Sequence, residues 1–429
     1  MPERIDFAPG DATEIALPAH PEAFIAAGAD WLTEALHAFG TLAMDNRVTG
    51  IATRPCPGGS TGKKLFLTVT TAHPEPALEG ELFVKFSRDF DDERRDWQRT
   101  EMEGEARFVA LSRSPGFPIR VPRGLFADYH AASGTGVVIT ECVAYGADGI
   151  DPHRRKCLDW QTMADPLPYY RASVGALAAL AGAHKSGRLG AAVEQHFPWD
   201  AGTASADPFR YSRAELAEQL KQGRDFARDC PQLLPPEIRD PAFLDQLEAD
   251  VWLVCEHEAA LRDYLVSNPA LASLNHWNSH IDNAWFWRED GEVRCGLIDW
   301  GRVGQLTFGS ALWGGLSAAH HSIWDQHIDG LLGHFVQQYE AHGGPCVAVE
   351  DLRRHLALHM AVMGVARMFA APEIIRFRLP ECVHATGPHD PMFEPVAADP
   401  ARNYLSIYTV LLGHWRRQNF GQMVRDLVR

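Results

Sequence analysis

The spacing of apolar residues differs between the first and the later part of the chain. Between about residues 20 and 145, short runs rich in β-branched and aromatic residues are bounded by Gly and Pro, which is typical of strands joined by turns. Beyond this region, apolar residues recur mainly three and four positions apart, which predicts amphipathic helices. We therefore expect a strand-rich first part and a larger helical part.

The first part is predicted to contain one antiparallel sheet and two helices. The opening segment PEAFIAAGADWLTEALHAFG is predicted as a helix. The segment RTEMEGEARFVALSR is predicted as a second helix, because Phe108 and Leu111 recur at helical spacing and acidic residues crowd its beginning. The predicted strands cover residues 65–72, 81–87 and 136–143.

Composition and charge narrow the class of protein. The chain has 429 residues, of which 46% are hydrophobic and 22% charged, as in an ordinary globular protein with two or three core-forming units. Its 40 basic and 56 acidic side chains give a formal charge of -16, which disfavours nucleic acid and membrane surfaces as partners. Scattered cysteines and the lack of a signal-like or long apolar segment favour a cytoplasmic protein.

The segment LNHWNSHIDNAWFWREDGEVRCGLIDWG carries the clearest chemistry. A polar loop precedes an aromatic strand, a turn at residues 289–291, and an apolar strand that leads into Asp299. A hairpin of this form brings Asn283 and Asp299 to neighbouring strand ends. Mg²⁺ usually takes one or two oxygen ligands from the protein and fills its other positions with water and phosphate oxygens. The pair therefore predicts a magnesium site.

The spacing of His276, Asn278, His280 and Asn283, followed by Asp299-Trp300-Gly301, resembles the catalytic and metal motifs of the aminoglycoside and choline kinase-like phosphotransferase superfamily. There the loop reads H-x-D-x-H-x-x-N and is followed by a short hairpin and I-D-W or D-F-G. The resemblance implies an α+β, bilobal, protein-kinase-like fold that uses ATP and Mg²⁺. It further implies a small-molecule acceptor, either aminoglycoside-like, choline-like or another alcohol, and it gives no oligomeric state.

The resemblance also implies a division into two lobes. Residues 1–143 would form the nucleotide-binding N-lobe with its N-terminal helical extension. Residues 144–429 would form a helical C-lobe that holds the catalytic loop and the acceptor pocket.

The strand ELFVKFS and the helix after it add a nucleotide contact to the prediction. Lys85 points away from the apolar face of its strand and, taken alone, is compatible with a solvent-facing lysine. Glu105 on the following helix can reach back to it and form the kinase-type pair that holds the α and β phosphates. Among the three acidic residues of that helix, the E-x-x-F register favours Glu105, and Glu101 remains the alternative.

Two backbone segments are further candidates for nucleotide contacts. The turn CPGGSTGKK contains Gly59, Ser60 and Gly62, whose N–H groups can lie over phosphates, although a hairpin turn without function fits almost equally well. Its spacing is not that of a Walker A loop. By the family resemblance, the backbone from Glu141 to Val143 would bind the adenine edge.

Two positions depart from the family pattern. Asn278 stands where the family has the aspartate that accepts the proton of the acceptor hydroxyl, and asparagine is no base. Ala311 stands where relatives place an aspartate that braces the loop. Asp282 is a candidate substitute base, or else an acid that caps the loop. Two functions therefore stay open: a phosphotransferase acting on a small-molecule hydroxyl, and a pseudokinase that binds nucleotide without transfer.

Overall fold

The structure is a computed structural model and describes residues 4–57, 62–95 and 99–429. The chain divides into two compact units. We call Met1–Ile150, Leu189–Pro198 and Gly296–Gly304 the sheet unit, and Asp151–Arg188, Trp199–Cys295 and Gln305–Arg429 the helical unit. The predicted boundary lay between residues 143 and 144. The sheet unit extends further and regains Gly296–Gly304, because Asp299 and Trp300 contact residues of its sheet and helix.

The sheet unit contains a hairpin of two short strands and a five-stranded antiparallel sheet. The predicted strands differ from β4, β5 and β7 by at most two residues at either end. The sequence analysis missed β3 and β6, since β3 contains Gly and Pro and β6 is buried along nearly its whole length without alternation. The strands are β1 (Phe7–Pro9), β2 (Ala16–Pro18), β3 (Val48–Pro55), β4 (Lys64–Thr71), β5 (Glu81–Phe86), β6 (Gly124–His130) and β7 (Thr135–Glu141).

The order of strands in the five-stranded sheet is β3-β4-β5-β7-β6, so β5 is central. Lys85 on β5 lies opposite Lys64 of β4 and Val138 of β7. The neighbouring Phe86 points to the other face, where it packs edge-on against Phe24 with ring centroids 5.8 Å apart. The alternation along β5 therefore places one face in the apolar core and leaves Lys85 on the other.

Helices make up most of the helical unit, and two of the fifteen α-helices in the described part of the chain flank the sheet. Residues 243–267, whose apolar positions follow a helical spacing throughout, form parts of two helices, since the backbone leaves helical geometry at His257. The helices are α1 (Pro21–Ala38), α2 (Arg99–Ser112), α3 (Asp159–Thr162), α4 (Leu167–Lys185), α5 (Ala192–His196), α6 (Arg213–Asp229), α7 (Pro241–Glu256), α8 (Glu258–Ser267), α9 (Phe308–Leu316), α10 (His321–Gln326), α11 (Ile328–Ala341), α12 (Val349–Met363), α13 (Ala371–Arg378), α14 (Asp399–Gln418) and α15 (Phe420–Val428).

Four further strands accompany the predicted catalytic loop. They are β8 (Ala272–Asn275), β9 (Ala284–Glu289), β10 (Glu292–Leu297) and β11 (Gly304–Thr307). Strands β9 and β10 pair through a two-residue turn in which Asp290 and Gly291 both have positive φ, at 52° and 80°. Such a turn matches the right-handed twist of a hairpin.

Together these elements confirm the predicted α+β fold class, with a small antiparallel sheet followed by a larger helical part. Within the described residues, no single helix combines the length and apolarity needed to cross a bilayer. A pair bent by 46°, Val349–Met368 with Ala371–Arg378, meets the length and composition criteria only when its two pieces are joined.

Candidate active site

A buried ion cluster surrounds Lys85 in the sheet unit. The Nζ atom of Lys85 lies 2.6 Å from Oε2 of Glu105 and 2.8 Å from Oδ1 of Asp299. Lys85 is 3% exposed and Glu105 is 7% exposed. Strand β5 supplies the lysine on the face that α2 covers, and the turn of α2 that comes nearest carries Glu105. Of the three acidic residues considered from the sequence, Glu105 is the one that contacts Lys85.

The electrostatics of this cluster favour a charged lysine. Burial opposes the charge, but the attraction of Asp299 and Glu105 outweighs burial and raises the pKa of Lys85 above its ordinary value. Lys64, opposite on β4, has a lowered pKa because of burial and then because of the charge on Lys85. Lys64 also interacts electrostatically with Asp299 and Glu105, so two ammonium groups face two carboxylates in this part of the sheet unit.

Asp299 is held in an uncommon backbone conformation. Its φ is 63°, in the left-handed region that residues with a Cβ rarely adopt. The next residue, Trp300, stacks on Phe108 of α2 with ring centroids 3.8 Å apart, and its Nε1–H donates to the carbonyl of Leu297 at 3.0 Å. The indole therefore anchors the turn. The Asp299 side chain stays 42% exposed, so its carboxylate reaches both Lys85 and solvent.

The predicted phosphate loop is described only in part. Gly59 and Ser60 lie outside the described residues. Gly62 has φ 60°, and a Cβ there would lie 1.9 Å from the carbonyl oxygen of Phe86, so this position accepts only glycine. Gly62 lines a small cavity together with Lys85 and Glu105. The turn therefore approaches the ion cluster at Gly62.

The predicted adenine-binding backbone follows the sheet. Glu141 is the last residue of β7 and pairs with Leu82 of β5. The carbonyl of Val143 accepts a hydrogen bond from the N–H of Tyr145 at 3.0 Å. The N–H of Val143 donates to no residue in the described part of the chain. This half-buried N–H is suited to a donor role toward a planar ligand edge.

The predicted catalytic loop lies in the helical unit and is closed by internal hydrogen bonds. The N–H of Asn278 donates to Nδ1 of His276 at 3.0 Å, and Nδ2 of Asn283 donates to the carbonyl of Asn278 at 2.8 Å. The amide nitrogen of Asn283 is thereby engaged, which leaves its oxygen as the atom for a cation. The Asn278 side chain makes no hydrogen bond to any described residue. Asn283 belongs to the helical unit, whereas Asp299 belongs to the sheet unit.

Helix α9 braces this loop by direct backbone approach. A Cβ on Gly314 would lie 1.8 Å from the carbonyl oxygen of Trp277, and one on Gly315 would lie 2.7 Å from Oγ of Ser279. Ala311, on the same helix, is fully buried. The loop is therefore held close to α9 without an aspartate at position 311. The sequence analysis missed this contact, although two adjacent glycines inside an apolar helical pattern are a signal of close packing.

His280 adds a neutral hydrogen bond to the same brace. Its Nε2 atom lies 2.9 Å from Oγ of Ser317, just beyond α9. Burial, with smaller effects from Lys156 and His276, lowers the pKa of His280 well below its ordinary value. His280 is therefore neutral near pH 7 and a weak base.

Asp282 is tied to the segment that precedes α3. Its Oδ2 atom lies 3.3 Å from Nζ of Lys156, and its backbone carbonyl accepts from Nε2 of His153 at 3.0 Å. Its other carboxylate oxygen is buried and has no hydrogen-bond partner in the regions that the structure covers. The ion pair fits the interpretation of Asp282 as a loop-fixing acid, and its role as a base stays a prediction. Lys156 and His153 were not foreseen from the sequence.

Comparisons with known proteins give fold likeness only. No family model matches the chain, and no curated protein matches it. Among solved structures, it is similar to a microcompartment-associated aminopropanol kinase, at 13% identity over 87% of this chain and 94% of the other, with a TM-score of 0.44. It is similar to a choline kinase from Cryptosporidium parvum, at 12% identity over 88% and 94%, with a TM-score of 0.43.

A third similar structure is an aminoglycoside-3'-phosphotransferase of type VIII, at 19% identity over 78% of this chain and 98% of the other, with a TM-score of 0.36. These three proteins are of the kind whose motif the catalytic loop resembles. Likeness at this level does not define an activity, so the function of this chain has to be argued from its own residues.

Proposed function

We propose that this protein is an ATP- and Mg²⁺-dependent phosphotransferase that acts on a hydroxyl group of a small molecule. The observation that carries the proposal is the Lys85 ammonium held between Glu105 and Asp299 in a buried cluster. A structural ion pair would need one carboxylate, whereas a second, half-exposed carboxylate on a strained backbone is typical of a working site.

Five of the predicted residues would bind the nucleotide and the metal in this proposal. Lys85, oriented by Glu105, would contact the α and β phosphates, and the N–H of Val143 would meet the adenine edge. The oxygens of Asp299 and Asn283 would be the metal ligands, a donor set that suits Mg²⁺. When bound, ATP would supply the phosphoryl group, and Mg²⁺ would neutralise the charge that develops on it.

Asn278 would orient the acceptor hydroxyl. Transfer forms a bond between the acceptor oxygen and the γ-phosphorus, breaks the bond to the bridging oxygen and leaves ADP. The acceptor proton also has to leave, and because an amide cannot take it, Asp282 or a solvent water would accept it. Because phosphoryl transfer depends chiefly on positioning and charge stabilisation, turnover can persist at a rate reduced by about 10² to 10⁴.

The proposal is tested by incubating the protein with Mg-ATP and a panel of hydroxylated amines, sugars and alcohols. Mass spectrometry should detect an acceptor that has gained one phosphoryl group, together with ADP. The absence of product across the panel, combined with no ATP hydrolysis, contradicts the proposal.

A pseudokinase is the second candidate, and the loss of acids at Asn278 and Ala311 favours it. It would bind Mg-ATP without transfer. The Asn278→Asp variant separates the two, with the exposed Asn268→Asp as a matched control. A gain of about 10² to 10⁴ in transfer indicates a degraded active site that the acid restores. Unchanged or lower activity in a protein that already transfers phosphate indicates that Asn278 belongs to a working mechanism.

A further inference from the structure

A row of paired residues crosses the sheet unit beside Lys85. Arg54 of β3 lies opposite Phe66 of β4. Phe66 lies opposite Phe83 of β5, which in turn lies opposite Thr140 of β7. Paired residues point to the same face of a sheet, and so do residues two apart on one strand. The row therefore lies on the same face as Lys85, about 7 Å away along the strands.

Within the sheet unit, this face is covered at one side only. At β6 and β7, Tyr129 and Val138 pack against α2. At β4 and β5, Phe66 and Phe83 stay partly exposed, although phenylalanine is among the residues most often fully buried. The opposite face of these strands is closed by the apolar core that includes α1. The uncovered area beside Lys85 therefore contains two aromatic rings.

The guanidinium of Arg54 is fixed above this row. Its central carbon lies 3.7 Å from the centroid of the Phe66 ring. Its Nε and Nη2 atoms donate to the two carboxylate oxygens of Glu81 at 2.8 Å and 2.7 Å. A guanidinium held in this way, on a ring and against a carboxylate, loses little further conformational freedom when a ligand binds. Since the Arg54 side chain is 57% exposed, its other face is open to solvent.

The row of Arg54 lies between two predicted nucleotide contacts. On one side, the next row on this face contains Lys85. On the other side, the next row contains Glu81, and Arg54 interacts electrostatically with the thiol of Cys142. Cys142 directly precedes Val143, whose N–H donates to no residue that the structure describes. A base that lies on Arg54 can therefore meet this N–H while its phosphates extend toward Lys85.

We propose that Arg54 is the stacking platform for the purine ring of the bound nucleotide, and that Phe66 and Glu81 position its guanidinium. The inference rests on the proposed function, because Lys85 would bind the phosphates of the same nucleotide. The base packs on the open face of the guanidinium, and the N–H of Val143 meets its edge. A purine suits this platform because it offers a large planar face.

The plane of Arg54, rather than its charge, is the property that this role requires. A lysine at position 54 could pair with Glu81 and attract phosphates, but its ammonium has no plane on which a base can stack. The Arg54→Lys variant therefore keeps the charge and removes the platform. Glu81→Gln does the reverse, since it keeps the guanidinium and removes the carboxylate that holds it.

The test compares the affinities of the full chain for Mg-ATP and for Mg-tripolyphosphate, which carries the phosphates without ribose and base. Titration calorimetry gives the dissociation constant of tripolyphosphate divided by that of ATP, and this affinity ratio cancels changes in phosphate binding. We expect Arg54→Lys to lower the ratio about tenfold, because base stacking is lost. Glu81→Gln should lower it by a smaller factor. Arg294→Lys, whose exposed pair with Glu289 lies on the β9 and β10 hairpin, is the matched control and should leave the ratio unchanged.

Two results overturn the inference and leave the proposed function standing. One is an affinity ratio that Arg54→Lys does not change in a protein that binds Mg-ATP. The other is tighter binding of Mg-ATP by Arg54→Ala, which would show that the base takes the place of the guanidinium on Phe66.

A transfer assay with Mg-ATP keeps the two proposals separate. If the affinity ratio falls as expected but nothing in the acceptor panel is phosphorylated, the inference stands and transfer fails. If the parent protein binds neither Mg-ATP nor Mg-tripolyphosphate, the inference and the nucleotide role of Lys85 both fail.

Discussion

The ion cluster at Lys85 and the catalytic loop around Asn278 are held by different forces. In the sheet unit, opposite charges at 2.6 Å and 2.8 Å fix Lys85 between two carboxylates. In the helical unit, neutral hydrogen bonds and the close approach of Gly314 to Trp277 fix the loop. The first arrangement depends on particular charged side chains, and the second depends mainly on shape.

The two arrangements should respond differently to substitution. Replacing Lys85 would leave the buried Glu105 without the cation that pairs with it, which is strongly unfavourable. Neither Asn278 nor Ala311 carries a charge, and neutral hydrogen bonds and the glycines of α9 hold the loop at these positions. The predicted nucleotide contacts of Lys85 and Glu105 and the predicted acceptor contact of Asn278 therefore belong to separate sets of residues.

The largest effect is expected for Lys85→Met. It leaves Glu105, which is 7% exposed, without its cation, so the free energy of unfolding should fall by about 3–5 kcal/mol and Mg-ATP binding should be lost. Guanidinium unfolding and nucleotide titration measure both. The control is Lys63→Met, whose pair with Asp89 is half exposed at the lysine and one third exposed at the aspartate and should contribute about 1 kcal/mol or less. Equal losses in the two variants would show that the cluster has no special role.

The shape-dependent brace is tested by Gly314→Ala. The added methyl group would lie 1.8 Å from the Trp277 carbonyl oxygen, so α9 or the loop must move, at a cost of about 1–3 kcal/mol. The rate of phosphoryl transfer should fall together with the stability, while the affinity for Mg-ATP stays near that of the parent protein. Gly330→Ala on α11 has nothing within 4 Å of the added group and should gain about 0.4–1 kcal/mol. A tolerated Gly314→Ala would contradict the brace.

Acid should weaken the helical unit through buried neutral histidines. His355 accepts from the N–H of Gly309 at Nδ1, donates to the carbonyl of Leu265 from Nε2, and burial lowers its pKa to about 4. Between pH 6.5 and pH 4 the unfolded chain binds a proton that folded His355 does not. Stability therefore falls with falling pH, by about 1.4 kcal/mol per pH unit for this residue.

Unfolding free energies measured at pH 7, 6 and 5 test this dependence on His355. In the His355→Gln variant, the free energy of unfolding should fall by about 1.4 kcal/mol less per pH unit than in the parent protein. Identical slopes for the parent and the variant would show that His355 is not responsible.

The smallest effect is expected for Lys156→Met. Its pair with Asp282 at 3.3 Å is about a quarter exposed on each side, so its loss should cost about 1 kcal/mol or less. If Asp282 acts as the base, releasing it from Lys156 should shift the pH dependence of the transfer rate. The free energy of unfolding should change little. Lys221→Met, which removes an exposed pair with Glu218, is the control for stability. A pH profile that is the same for both variants would assign Asp282 to structure alone.

Several features of the site were predictable because they depend on local spacing. The choice of Glu105 follows from its register on α2, and the β9 and β10 hairpin follows from Asp290-Gly291. Other features depend on residues far apart in sequence. The contact of Lys156 with Asp282 and the packing of Gly314 on Trp277 join segments that no short pattern relates.

The amino-acid sequence by itself determined the α+β class, the strand that carries Lys85 and the hairpin that leads to Asp299, because periodicity and turn chemistry act over a few residues. Only the tertiary structure decided that Asp299 shares Lys85 with Glu105, that α9 supports the loop in place of an aspartate, and that Arg54 lies over Phe66 and against Glu81. The reason is physical: close packing selects distant partners by shape and charge, and neither is visible in the local pattern.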